Sequence, residues 1–215
     1  MTSGSKTWTL LCGLTLSLCA NASAPEDAAT ARALVSSLGR PAPARTAFAE
    51  ARFMKMLDKP LVVSGQLAWL GDDRLERTVE VPTREVSTIA NGEVTQQREG
   101  RSPRSFSLKR APQLQLLVDS FVALLGGDSA HLEQAFTVQH SVDGADRWTL
   151  TLTPRDAKLA QTVNRIDIDG SGNEPRCMIM QEADGDVAID LLGEYASRMP
   201  ATPTRDGLVT MCRGG

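Results

Sequence analysis

The sequence predicts an α+β fold, mainly antiparallel β, on three observations. From Thr46 onward apolar side chains recur at alternate positions in about ten short segments, the period of half-buried strands. Turn signals separate the segments: Gly71-Asp72-Asp73, Pro82, Asn91-Gly92, Asp143-Gly144, Asp169-Gly170 and Asp184-Gly185. Helical periodicity occupies only two stretches of any length, so helices do not alternate with strands as a parallel sheet would require.

Each element follows from its local pattern. Glu26 to Leu38 carries Ala31, Leu34, Val35 and Leu38 at i, i+3, i+4, i+7 spacing, which predicts an amphipathic helix. Gly39 ends it, and Pro41 and Pro43 make a stiff connector. Leu61, Val63, Leu67 and Trp69 then alternate around Gly65, and Leu75, Arg77, Val79 and Val81 alternate in the following segment. Shorter strands are predicted near 85–90, 93–98 and 105–109, the first two joined at Asn91-Gly92, where both residues accept positive φ. Pro112 suits a first helical turn, and Leu114, Leu117, Val118, Phe121 and Leu125 form a stripe that Gly126-Gly127 ends. A brief helix from Asp128 or Ser129 follows, then strands bearing Phe136, Val138, His140 and Val142; Trp148, Leu150 and Leu152; residues 163–168; residues 177–180; and Val187, Ile189 and Leu191. The Pro- and Gly-bearing tail from about residue 199 is expected to be a loop held by Cys212.

Composition bounds the function. Aromatics are 4% of residues, too few for repeated base-stacking platforms, and the formal net charge of −3 lacks the basic excess of a nucleic-acid binder, so no nucleic-acid partner is expected. No G-x-S-x-G elbow and no H-E-x-x-H occurs, and only His131 and His140 are present, so neither a hydrolase nor a zinc site is expected. Glu50 and Asp58 read as surface carboxylates. Asp167, Asp169 and Glu174 do not match calcium-loop spacing and read as part of a hairpin. The expectation is a protein that is not an enzyme and uses no cofactor or metal.

The start of the chain reads as an export signal. Lys6 precedes the apolar stretch Trp8 to Ala20, which is too short to span a bilayer, and Ala20-Asn21-Ala22 offers an A-x-A site. Cleavage is expected after Ala22, leaving residues 23–215 as one domain. A lipoprotein signal is the rival, but Leu11 and Leu18 precede Cys12 and Cys19 where a lipobox wants a small residue. Cys177 and Cys212 then remain, and in an oxidising compartment a disulfide is their simplest fate. It would contribute about 3–4 kcal/mol by the chain-entropy argument.

A curved sheet with one apolar face must cover that face, and the two amphipathic helices carry matching stripes. They either plug the curl as ordinary core or roof a space that takes up an acyl chain; periodicity alone does not choose. The order of motifs bears on the choice. After the first helix come F-x-x-x-x-F (Phe48 to Phe53), S-G-Q-L-A-W (Ser64 to Trp69), G-D-D-R-L-E-R (Gly71 to Arg77), Val81-Pro82 and I-A-N-G-E-V (Ile89 to Val94). The mid-chain helix, W-T-L-T-L-T-P (Trp148 to Pro154), I-D-I-D-G (Ile166 to Gly170) and a last hairpin turn at Ala183-Asp184-Gly185 complete the series. Over roughly 28–192 this resembles the LolA-like family of periplasmic outer-membrane lipoprotein carriers, in a divergent branch.

The resemblance implies an unclosed (half) β-barrel with a helical lid over an apolar cavity that shields acyl chains in the periplasm. It also implies an acylated lipoprotein or lipid as cargo, an inner-membrane donor and an outer-membrane acceptor protein, brief membrane proximity, and a monomer. Where the carriers place an arginine before P-x-x-F to hold the lid shut, this chain has Gly71 followed by Asp72-Asp73-Arg74-Leu75, and Arg77 stands where a tryptophan is expected. Arg77 or Arg74 either takes over the latch or is a solvated strand charge. The cargo correspondingly ranges over a lipoprotein, a free lipid, a glycolipid or a polyene pigment, and a non-transport envelope binding module is the other reading. The expected cavity residues are Phe53, Leu67, Trp69, Phe106, Leu108, Leu117, Phe121, Trp148, Leu150, Met178 and Met180, the methionines suiting a lining that adapts to flexible chains. Arg98, Arg101 and Arg104, with Lys109 and Arg110 beyond them, form a basic run that could meet head groups or an acidic partner, or be a solvated loop.

Overall fold

The computed structural model describes residue 1, residues 24–144 and residues 146–214. Apart from Met1, the expected signal segment, with Cys12 and Cys19, lies outside the described residues. The chain begins with helix α1 (Ala24–Leu38) and continues through β1 (Ala44–Phe53), β2 (Leu61–Gly71), β3 (Arg74–Val81), β4 (Glu85–Ala90), β5 (Glu93–Arg98) and β6 (Arg104–Ser107). A single 3-10 turn, Leu108–Arg110, leads into α2 (Pro112–Gly126) and α3 (Ser129–Ala135). Then come β7 (Phe136–Asp143), β8 (Arg147–Pro154), β9 (Val163–Ser171), β10 (Glu174–Glu182), β11 (Val187–Leu192), the 3-10 segment Gly193–Arg198 and α4 (Arg205–Cys212).

The strands form one eleven-stranded antiparallel sheet in the order β6-β5-β4-β3-β2-β1-β11-β10-β9-β8-β7. β6 and β7 are its two ends and do not pair, so the barrel is unclosed. The β1–β11 pairing joins the two meanders, with Glu50 opposite Asp190 and Ala51 opposite Ile189.

Pairing sorts side chains to two faces, because directly opposed residues share a side. The inner face carries Phe48, Glu50 and Arg52 of β1 and, across the sheet, Leu67 and Trp69 of β2 and Leu75 and Arg77 of β3. Towards the other end it carries Asp190 of β11, Met178 and Met180 of β10, Ile166 and Ile168 of β9, and Leu150 and Leu152 of β8. Helices α1, α2 and α3 lie on this side. Pro112 begins α2, and Gly127 ends it at φ 72°, a conformation that favours glycine. The Asp128 carboxylate caps α3 by accepting the His131 N–H at 2.9 Å. Gly127 and Gly39 pack backbone against backbone, so close that a Cβ on Gly127 would stand 3.2 Å from the Gly39 Cα.

Three expectations need correction. The tail is not a loop throughout: α4 packs Leu208 and Cys212 on the outer face with Cys177, Ile179, Val187, Ile189 and Leu191. Its start is fixed by Thr204, whose hydroxyl accepts the Gly207 N–H at 3.2 Å, and the Cys177–Cys212 disulfide ties it down. The sheet is therefore apolar on both faces around β10, β11 and β1, and Val187, Ile189 and Leu191 point out rather than into the curl. Finally, Asp169-Gly170 is not a turn; β9 runs on to Ser171 and the reversal is at Gly172-Asn173. Gly170 lies opposite Trp148, and a Cβ there would collide with the indole ring and sit 2.7 Å from the Glu174 carbonyl oxygen. The glycine makes room for the ring, whose Nε1–H donates to the Gly172 carbonyl at 2.7 Å.

Candidate functional site

The inner face holds two packed clusters. Over β7–β10, helices α1–α3 bury Trp148, Leu150, Leu152, Ile166 and Ile168 beneath Ala31, Val35, Ala123 and Leu132, with Leu117, Phe121, Met178 and Met180 packed against them and only partly covered. Over β3–β5, Leu114 and Val118 of α2 meet Leu75, Ile89, Val94 and Leu108. The stripe of α2 thus bridges the curl, its first turn on one flank and the rest on the other. The strip between, carrying Val63, Leu67 and Trp69 of β2, belongs to neither cluster. These three side chains face inward yet remain half-buried.

The expected cavity residues divide accordingly. Leu108, Trp148 and Leu150 are core: Leu108 and Leu150 are 0% exposed and Trp148 is 6%, so they are closed off rather than lining a space. Leu67, Trp69, Leu117, Phe121, Met178 and Met180 are half-buried on the inner side. Phe106 lies on the end strand β6, opposite Val94, and is 40% exposed. Phe53 is on the wrong face: it packs on the outer cluster around the disulfide, because its register partner is Val187. Arg98 is ion-paired with Glu85 at 2.6 Å, while Arg101 and Arg104 are exposed near the β6 end of the sheet.

Charges at the middle of the inner face are unlike those expected. Glu50 is not a surface carboxylate: it accepts from Arg77 at 2.7 Å, and the Arg77 guanidinium lies over the Phe48 ring, 4.6 Å from its centroid. Arg77 is therefore neither a lid latch nor a solvated charge. Arg74 donates to the Leu70 carbonyl of its own hairpin at 3.0 Å. Asp190, opposite Glu50, is 6% exposed. Burial pushes its carboxyl up to about 8, the Glu50 charge adding to the rise and Arg77 and Arg52 opposing it. Arg52 is ion-paired with Glu182. Beyond this packing, the end of α2 is linked to the β9–β10 turn by Arg40, a residue not singled out in the sequence. Its N–H donates to the Leu125 carbonyl at 3.0 Å, and its guanidinium reaches the Asn173 carbonyl at 2.5 Å and Glu174 at 2.8 Å.

The outer face offers different chemistry. Two clefts of about 330 and 300 Å³ open between β8–β10 and α4. They are lined by Thr149, Arg165, Asp169, Arg205, Asp206 and Arg213 among others, groups unsuited to hydrocarbon. Asp169 accepts from Thr149 with one oxygen, and its other oxygen is buried without a partner among the described residues; burial raises its pKa. Glu182, Asp184 and Asp186 bring their carboxylates within 4.8 Å of one another at the last hairpin, where Asp186 accepts the Lys55 N–H and Asp184 the Asp186 N–H, both at 3.0 Å. Among the described residues, no helix is long and apolar enough to cross a membrane.

An unclosed antiparallel sheet with an amphipathic helix laid across its inner face agrees with a match over residues 22–215 to the family described as outer membrane lipoprotein carrier protein LolA-like. The chain belongs to this family. No protein of curated function matches the chain. Among solved structures, this LolA-like chain is similar to a LolA superfamily protein from Nitrosomonas europaea at 11% identity and a TM-score of 0.43, covering 78% of this chain and 92% of that one. It is also similar to a putative outer membrane lipoprotein-sorting protein domain from Vibrio parahaemolyticus, at 10% identity and a TM-score of 0.41, covering 87% and 97%. A third is the MucA/MucB complex of Pseudomonas aeruginosa, at 12% identity and a TM-score of 0.37, covering 85% and 60%.

Proposed function

We propose that this LolA-like chain is a periplasmic carrier that holds the acyl chains of a lipid or lipoprotein against the inner face of its half-barrel during transfer toward the outer membrane. The observation that carries the reading is the strip between the two packed clusters, where Val63, Leu67 and Trp69 face inward but remain partly accessible, with Phe121, Met178 and Met180 on its flank. Family membership supports the same direction. Each methylene removed from water contributes ~0.8 kcal/mol, so a chain of about 14 carbons gains roughly 10 kcal/mol before entropic costs. Binding of that size holds a lipid in water and still permits handover to a membrane. An inner-membrane donor and an outer-membrane acceptor complete the route, and Arg101 and Arg104 at the exposed β6 end are candidates for head-group or partner contact.

Filling the strip tests the reading better than cutting into the core. Leu67→Trp should displace about two methylenes of cargo and weaken binding of a fluorescent fatty-acyl probe about tenfold, with thermal unfolding little changed. Unaltered probe affinity in the variant would place the chain elsewhere, and absence of probe binding to the native protein would remove the carrier reading.

A further inference from the structure

At the middle of the inner face, on β1, β3, β10 and β11, the carboxyls outnumber the guanidinium groups. Glu50 is paired with Arg77 and Arg52 with Glu182, which leaves the Asp190 carboxyl as the surplus acid. Register puts Asp190 beside Glu50 on one strand and Met178 on the other, facing the curl. It is 6% exposed, yet no described residue makes a hydrogen bond to its carboxyl, and its oxygens are not among the sealed, unpartnered atoms of the molecule. The carboxyl is thus buried, turned to the inner side and without a hydrogen-bond partner among the described residues.

We propose that Glu50, Arg77 and Asp190 form a polar seat within the acyl-chain strip for a cationic amine on the cargo. The proposal rests on the carrier reading and narrows its cargo to an amine-bearing lipid. An ammonium group supplies both what Asp190 lacks, N–H donors and a compensating positive charge, while its hydrocarbon lies along Leu67, Met178 and Met180. A carboxylate or phosphate in the same place meets two carboxyls and a guanidinium that Glu50 already occupies, and a neutral hydroxyl offers a hydrogen bond without the charge. The charged groups acting on Asp190 are Glu50, Arg77 and Arg52, and its carboxyl, pushed up to about 8, is largely protonated at neutral pH. Pairing with an ammonium therefore expels a proton to solvent.

The test uses hexadecylamine, hexadecanol and palmitate, matched in chain length, as competitors of a neutral fluorescent acyl probe on the mature protein. The amine is expected to bind about tenfold more tightly than the alcohol, since it adds a charge-assisted hydrogen bond, with palmitate weakest. Asp190→Asn should bring the amine-to-alcohol ratio close to unity. Calorimetry in buffers of different ionisation enthalpy should find about one proton released per amine bound by the native protein. Amine binding no tighter than alcohol, palmitate binding tightest, or no proton release would overturn the seat while leaving the carrier reading intact. Failure of all three ligands to displace the probe, or of the probe to bind, would remove the carrier reading and the seat with it.

Discussion

Asp190→Asn should make the protein more stable, and increasingly so as pH rises. The carboxyl moves from 3.8 to about 8 on folding because burial, helped by the charge of Glu50, outweighs Arg77 and Arg52. The folded state thus binds a proton that the unfolded state has released throughout this window. Its contribution to stability is fully present below about pH 4 and is lost as pH rises through about pH 8, at about 1.4 kcal/mol per pH unit. Between about pH 5 and pH 7 the native protein should lose about 3 kcal/mol that the variant keeps, since asparagine has the same shape and no proton to lose. Urea unfolding of both proteins at about pH 5, 6, 7 and 8 reads the difference, with m-values checked for constancy. Parallel stability–pH curves would refute the assignment of Asp190 as a buried carboxyl kept neutral by its surroundings.

Three further outcomes follow from packing. Replacing Cys177 and Cys212 with alanine opens a cross-link spanning 35 residues and should cost about 3–4 kcal/mol in chemical unfolding; non-reducing peptide mass spectrometry of the native protein should find the two cysteines joined. Arg40→Ala should cost only about 1 kcal/mol, its ion pair being partly exposed, but should speed amide exchange in residues 36–40 and 125–127; unchanged exchange there would show that the glycine contact alone holds the helix ends. Gly170→Ala forces a methyl into the Trp148 ring and should cost about 2 kcal/mol or more, with altered tryptophan fluorescence.

Much of the fold was legible because one signal was repeated. Alternation located the strands, Asn91-Gly92 and Asp184-Gly185 located turns, and Pro112 with Gly126-Gly127 bounded α2. Alternation does not say which of two faces looks inward, however, and β11 shows the consequence. Val187, Ile189 and Leu191 serve the outer cluster, leaving Ala188, Asp190 and Leu192 to face the curl. Phe53 misled for the same reason. α4 was missed because Gly207 and the β-branched Val209 and Thr210 weigh against a helix, although Thr204 before Leu208, Met211 and Cys212 was a usable capping and spacing signal. Glu50, Arg77 and Asp190 stand on three strands far apart in sequence, and only sheet register brings them together. No local pattern could have announced them.

The central claim, that hydrocarbon lies on the inner face between the two packed clusters, is tested most directly by photo-crosslinking. The protein would be loaded with a diazirine-bearing fatty amine, irradiated and mapped by peptide mass spectrometry. Adducts on Leu67, Trp69, Phe121, Met178 or Met180 are the predicted result. Adducts confined to Arg205, Val209 or Arg213 on the outer face, or none at all, would contradict it.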